Sequence, residues 1–401
     1  MRNTNKKGFT IVELVIVVAV IAILAAVLIP TFSGLIKKAN IASDTAVAKN
    51  LNTAAISASA DTFDQAIVAV KEAGYILANL NAKADGCYFV WDDVNNQFLL
   101  VDTTDSYKVI YSNTDASEKS NWYVAVSDPE AIADIEAAGC QVKKIATSFE
   151  NLQENIAAGG KIYVDESVVL NADNRIVVEN NTDENVTFEF AGSSVNTKGN
   201  ISGIPVEIIK GKVTINGAVV GGSGSFENTN GTFSTAIGYE GFAHLVLNNS
   251  TITGQGNAVS GASHDDGPAY VELNNCNLYS DNVGFQMSTP GTALLKDTNV
   301  NCPNPIFASY GANITIDGGK YVSTSDCLFE MNDNTTDDRP TTVTVKDGEF
   351  TFNTFAIFNN TANMKIVIEG GTFNGEDYLT FFADYEGATV TINGNVVTIT
   401  K

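Results

Sequence analysis

The sequence predicts a multi-domain chain: a long N-terminal helix, a small α+β unit, and a large all-β solenoid of the parallel β-helix kind. Three observations carry this. An apolar run opens the chain from Phe9 to Pro30, with Glu13 its one charge. Short strand-like segments between Cys87 and Ser112 are separated by Asp- and Asn-rich turns. Beyond Lys161, short β-branched and aromatic pieces recur with a period of about two dozen residues, the mark of a repeat architecture.

Composition narrows the function. Of 401 residues, 23 are Lys or Arg and 46 are Asp or Glu, for a net charge of -23. Phosphate contacts need clustered cations, so a general binder of nucleic acid or anionic lipid is excluded. The acid is spread along the chain and reads as a solvated surface. Two His leave few groups for acid–base chemistry. Five Cys at wide spacings, with no CxxC and no Cys/His cluster, give no support to a zinc site or a disulfide scaffold.

The first element is the N-terminal helix. Residues 1–8 are polar and basic, and no charge occurs from Leu14 to Ile36. As a helix, Phe9–Pro30 is about 33 Å long, enough for a hydrocarbon core of about 30 Å. Arg2, Lys6 and Lys7 place the leader in the cytoplasm and the chain beyond Pro30 outside. A secretory signal would have a shorter apolar region and a small-x-small site, and IPTFSG is a poor one. A plain membrane anchor leaves Glu13 unexplained, because a carboxylate at the bilayer centre costs about 2.5–3.5 kcal/mol.

The run GFTIVELVIVVAVIAILAAVLIP resembles the class III leader and first helix of type IV pilins and type II secretion pseudopilins. Gly8 stands at the motif glycine, Phe9 at the first mature residue, Glu13 at the glutamate and Pro30 at the helix-breaking proline. The resemblance implies cleavage of leader 1–8 by prepilin peptidase and N-methylation of Phe9. It implies that the new amine pairs with Glu13 of a neighbouring subunit. Pairing offsets the desolvation of a buried carboxylate, so it acts as a register device. Implied partners are prepilin peptidase, other pilin subunits, the pilus or secretion assembly platform, and the membrane through one helix. The implied location is the bacterial cell membrane and then a surface filament.

After Pro30, which removes one backbone donor and can kink the helix, the pattern continues amphipathically to about residue 58. Leu35, Ala39, Ala42, Ala46, Leu51 and Ile56 form the expected apolar side. Lys37, Lys38, Asp44, Lys49 and Asn50 form the polar one. The helical region is thus 9–60.

A small α+β head is expected over 61–145. Asp61 or Thr62 caps a helix carrying Phe63, Ala66, Ile67 and Val70, with Gly74 as its stop. Residues 87–93, 97–102 and 108–112 read as a three-stranded meander. The segment resembles the compact heads of pilin-like proteins from Gram-positive bacteria through Trp91, Asp92, Asn95 and Asn96, with Trp91 a core residue. Asp128-Pro129 starts a short helix ending near Gly139. Cys87 and Cys140 are a candidate bridge on an oxidising surface.

The solenoid occupies 146–401. Helix 148–158, capped by Ser148 and stopped by Gly159-Gly160, covers its first coil, since an open end would expose core and strand edge. One series of apolar residues before polar turns falls at 215, 247, 273, 295, 316, 345, 368 and 392. A second falls at Ile237, Val259, Phe285, Phe307, Phe329, Ile357 and Phe381. Leucine-rich repeats share this period, but their regular Leu positions and helical segments are missing. Stacked coils place Phe285, Phe307, Phe329 and Phe381 in an interior stack rather than on a carbohydrate-binding surface. Asn248, Asn274 and Asn393 become turn residues. Longer steps put Ser223–Gly231, His264–Gly267 and Asn332–Arg339 in outside loops. The pattern resembles the pectin-lyase-like right-handed β-helix superfamily.

Many such proteins cleave acidic polysaccharides. Candidate ligand residues are His264, Asp265 and Asp266 in one loop and Arg339 beside another. Asp333, Asp337 and Asp338 are candidate calcium ligands, in a loop that lacks the glycine and distal glutamate of a hand-type site. No basic cluster suited to a lyase and no hydrolase-type motif appears, so no catalytic residue and no cofactor is expected. The expected function is a structural or adhesive pilin-like subunit that displays its solenoid outside the cell, for glycan or surface binding. The alternatives are a membrane-anchored polysaccharide-degrading enzyme and a secretion or competence pseudopilin.

Overall fold

The computed structural model describes residues 10–75, 81–126, 134–146, 148–164, 169–170, 175–180, 185–190, 194–197, 204–222, 226–228, 231–233, 235–261, 267–332, 339–359, 364–383 and 389–400. A long N-terminal apolar helix is followed by a large, mostly β region. The chain divides into two compact units, with the main boundary between Val142 and Lys143.

In the first unit, helix α1 (Ile11–Ser57) runs unbroken through Pro30. Pro30 withholds its donor from the helix, and the Thr31 hydroxyl donates to Val27 O at 2.9 Å just beside it. The apolar first half of α1 is exposed along its length. The second half buries Asp44, Ala48, Leu51, Asn52 and Ala55. This corrects the expected apolar side, of which Leu51 alone lies in the buried face; Leu35 and Ile56 are exposed. Two polar residues rotate the helix. The carboxylate of Asp44 accepts from the backbone N–H groups of Lys83 (3.0 Å) and Ala84 (2.8 Å). The Asn52 amide donates to Phe98 O at 2.8 Å and accepts from Phe98 N at 2.6 Å. A buried polar side chain is tolerable when so bonded, and alanines complete the face.

Helix α2 (Phe63–Glu72) is capped by Thr62 and buries Phe63, Ala66, Ile67, Ala69 and Val70. Strands β1 (Cys87–Asp92), β2 (Gln97–Asp102) and β3 (Lys108–Tyr111) form the antiparallel meander. A fourth strand, β4 (Trp122–Val126), pairs antiparallel with β1 and was not foreseen. Trp91 is fully buried, its ring 5.1 Å from that of Phe98 in an edge contact. Asp92 organises the β1–β2 turn by accepting from Val94 N, Asn95 N and Nδ2, and Ser117 N and Oγ. Residues 127–133 of the expected helix at Asp128 lie outside the described residues; 134–137 are helical, and Gly139 has φ +88°. Cys87 and Cys140 are buried free thiols rather than a bridge.

Strand Gln141–Ala146 spans the boundary between the units, and the second unit continues with helix Phe149–Ala158, which Ser148 caps and Gly159 ends at φ +68°. Its strands then stack in parallel, each pairing with a strand one repeat later. Three columns result. The first aligns Ile162, Phe188, Ile215, Leu247, Leu273, Leu295, Ile316, Val345 and Ile368. The second aligns Ile176, Val206, Ile237, Val259, Phe285, Ile306, Phe329 and Ala356. The third, unread in the sequence, aligns Val220, Ile252, Leu278, Val300, Tyr321, Phe350 and Phe373. All but Ala356 in these rows belong to one buried core, against which Ala356 packs half-buried.

Register corrects three positions of the second series. Phe307 pairs with Gln286 and Ile357 with Glu330, each one residue off the interior row. A one-residue shift turns a side chain to the other face, and both are only half-buried. Phe381 lies in helix Tyr378–Ala383. The interior aromatic stack is instead Tyr321–Phe350–Phe373, with ring centroids 5.2 and 4.6 Å apart. Helix Tyr378–Ala383 packs Phe382 on Phe355 and Phe373, at 4.8 and 5.1 Å.

The last step of the first series is also corrected. Ile392 lies in an antiparallel hairpin, Thr389–Asn393 with Val396–Thr400, whose second strand runs antiparallel on Met364–Ile368. Asn393 is therefore a hairpin residue. Asn248 and Asn274 do sit at the turns, in a ladder. Asn274 Nδ2 donates to Asn248 Oδ1 at 2.9 Å, and Asn248 Nδ2 to Asn216 Oδ1 at 2.8 Å. The next residues, Gly217, Asn249, Asn275 and Asp297, hold φ of +62°, +50°, +51° and +48°. Each donates its N–H to a carbonyl of the following repeat, at 2.9–3.0 Å. That left-handed corner selects Gly, Asn and Asp. Of the outside loops, Ser223–Gly231 contributes to a hairpin of Phe226–Asn228 and Gly231–Phe233. Residues 262–266 and 333–338 lie outside the described residues.

Candidate functional site

The site is the start of α1. Gly8 and Phe9 lie outside the described residues. Thr10 is the N-cap, with extended backbone, and Glu13 is the third helical residue. The two form a capping box. Glu13 Oε2 accepts from Thr10 N at 2.8 Å and from Thr10 Oγ1 at 2.9 Å, and Thr10 Oγ1 accepts from Glu13 N at 3.3 Å. The arrangement satisfies helix N–H groups that otherwise lack partners. It also places a carboxylate at the positive end of the helix dipole.

Both bonds from Thr10 reach the same oxygen of Glu13, Oε2, on an exposed helix turn. A cation delivered to this level has a fixed acceptor rather than a swinging one. From Ile11 onward the surface offered is Ile, Val, Leu and Ala, which membrane or like helices can cover. Pro30, seventeen residues after Glu13, is exposed within the same helix.

Beyond the apolar segment, Lys37 Nζ lies 3.3 Å from Asp102 Oδ2. The Thr104 hydroxyl holds the Asp102 carboxyl below the usual aspartate range; burial opposes this, and Lys37 assists. This ion pair and Asn52 fasten the second half of α1 to β2, and Asp44 fastens it to the backbone just before β1. None of the three was singled out as a fastening in the sequence. The available signal was a carboxylate and an amide eight residues apart on one helical face.

The ligand candidates are not brought together by described geometry. His264, Asp265, Asp266, Asp333, Asp337 and Asp338 lie outside the described residues; Arg339 is exposed beside Gly311. Among the described residues, no group of three or more His, Cys, Asp or Glu is placed to hold a metal ion.

Comparison with known proteins bears on the same segment. Residues 3–29 match the family model of the prokaryotic N-terminal methylation motif. Over 50 residues the chain is 58% identical to the type IV wide pilus major component PilA4 of Thermus thermophilus. That match covers 12% of this chain and 36% of that protein's length. No solved structure matches the chain. The N-terminal segment is type IV pilin-like and carries the methylation motif.

Proposed function

From this pilin-like segment, we propose that the chain is a subunit of a type IV pilus or pseudopilus-like filament that carries a right-handed parallel β-helix outside the cell. Prepilin peptidase cuts after Gly8, the amine of Phe9 is methylated, and the helix over residues 9–30 rests in the bacterial membrane until the assembly platform draws it into a filament of pilin subunits. The second unit then stands on the cell surface, where it binds glycans or another surface and catalyses nothing. Parallel pairing in three columns with a turn ladder supports the β-helix. The matched motif and the membrane-length apolar helix support processing and assembly.

The observation that carries the reading is the Thr10–Glu13 capping box at the head of an exposed apolar helix. Capping alone needs an acceptor, and Gln provides one; register by charge needs a carboxylate. Glu13→Gln is therefore expected to insert in the membrane and lose its leader normally, yet to be missing from sheared filaments. Wild-type levels of Glu13→Gln in filaments would refute the charge-pairing role. Gly8→Leu is the processing control, expected to retain leader 1–8 as an increase in mass.

A further inference from the structure

We propose that the outward face of the first column, around Phe242, His244, Tyr270 and Glu272, is a binding site for a neutral hexose oligomer. This deepens the reading of the second unit as a displayed glycan-binding surface and rests on it.

Register lays out the face. Lys212, His244, Tyr270 and Thr292 stand side by side on successive repeats. Beside them run Thr214, Val246, Glu272 and Leu294, and then Asn216, Asn248, Asn274 and Lys296. At strand spacings this is a flat field roughly 14 Å on a side, the size of two or three sugar rings. Its polar groups are fixed. Tyr270 OH donates to Glu272 Oε2 at 2.8 Å, and Asn274 Nδ2 donates to Glu272 Oε1 at 2.9 Å. The His244 ring stands edge-on to Tyr270 at 4.4 Å. A site whose side chains are already locked loses little freedom on binding.

Phe242 is the residue that packing does not explain. It holds φ +64°, in the left-handed region where a bulky side chain is an outlier. Gly311, which stands at the Phe242 position three repeats on, takes φ +75° without a side chain. The Phe242 ring nevertheless stays 56% exposed. It lies over Gly267, where a Cβ would come within 2.3 Å of Phe242 Cζ. A strained backbone that presents an aromatic ring to water points to function.

The chemistry selects the ligand. Aromatic faces match the apolar C–H faces of a hexose, while a few fixed acceptors take its hydroxyls. An ionised carboxylate is an acceptor only, and the Asn274 and Tyr270 bonds hold the Glu272 carboxyl below its ordinary range. Lys212 and Lys296 stand at two corners of the field, but the ionised Glu272 at its centre and a chain charge of -23 favour a neutral oligomer over a polyanion.

The test is calorimetric titration of the detergent-solubilised full chain with cellohexaose, maltohexaose and hexagalacturonate. At least one neutral hexamer is expected to bind, and hexagalacturonate at least tenfold more weakly. Tyr270→Ala and Phe242→Gly are each expected to weaken neutral binding tenfold or more. Phe242→Gly relieves the backbone, so its melting temperature should equal or exceed the wild type, which separates lost binding from lost folding. No heat with either neutral hexamer, unchanged affinity in Phe242→Gly, or tighter binding of hexagalacturonate would overturn the site. Scoring filaments for the wild-type chain separates the two readings. Incorporation with no binding of either neutral hexamer removes the site alone, and binding with no incorporation removes the filament subunit alone.

Discussion

The sheet of the first unit and the columns of the second achieve order by opposite means. In the first, four antiparallel strands and one helix face are held in register by single-use polar anchors: Asp44 on the Lys83–Ala84 backbone, Asn52 on Phe98, and Asp92 on its turn. In the second, no one residue sets the register. The same position recurs as Ile, Leu, Val or Phe, and asparagines repeat the same bond between turns. Anchors concentrate specificity in a few side chains, while repetition spreads it over many. The first arrangement breaks at a point; the second tolerates substitution but depends on parity.

The largest effect should come from testing that parity. Ile306 is interior and its neighbour Phe307 half-buried. Ile306→Ala is expected to cost about 2–5 kcal/mol, as cavity-forming core substitutions do. Phe307→Ala, although it removes more atoms, should cost well under half as much. Hydrogen exchange of residues 304–309 in the two variants checks this, and equal losses would mean that the register is misassigned by one.

Next in size is an anchor. Asn52→Ala removes the side-chain partner of Phe98 N and O, and with water entering the vacated space the loss is about 1–3 kcal/mol. Protection should fall at 97–102 and stay unchanged at 243–248. Loss in both places would erase the contrast between the units.

The smallest effect is a difference in acid response. Burial raises the Asp92 carboxyl, but bonds from Asn95 and Ser117 outweigh it and leave it below the usual range. Its contribution is therefore present above the ordinary aspartate value of about 3.9 and is lost as pH falls through the lower folded value. Burial and Asp326 raise Glu330, against bonds from Asn304 and Asn359. Its ionised form is penalised in the fold, fully above the raised folded value, and relief comes as pH falls toward about 4.3. Mild acid should thus stabilise the second unit before it weakens the first. Glu330→Gln should remove the gain and Asp92→Asn the loss, each visible in exchange rates across pH.

This contrast also explains what the sequence disclosed. The first column was legible for six consecutive steps from Ile215 to Ile368, because a β-branched or Leu residue before an Asn, Asp or Gly turn recurs. The second slipped where Ile306-Phe307 offers two apolar neighbours and size favoured the wrong one. The third, running from Val220 to Phe373, changes residue type at nearly every step and gave no pattern. Periodicity counts polarity as exposure and so sets Asp44 on the polar side and gives Asn52 no place in the buried face; only the backbone groups they bond reveal otherwise. At the site, Thr10 and Glu13 have the T-x-x-E spacing of a capping box, and the pilin-like motif runs through them. Phe242 carried no signal, since nothing local marks a phenylalanine as left-handed.

The terminal hairpin has a consequence for descent. Val396–Thr400 runs against Met364–Ile368 and Thr389–Asn393 against Val396–Thr400, so a parallel repeat could pair directly with Met364–Ile368 only by displacing the hairpin. A repeat duplicated inside the stack displaces nothing: it finds matched parallel neighbours on both sides and adds about 4.8 Å. Relatives whose stacks differ in length should therefore differ by whole inserted repeats, each bounded by the same left-handed corners.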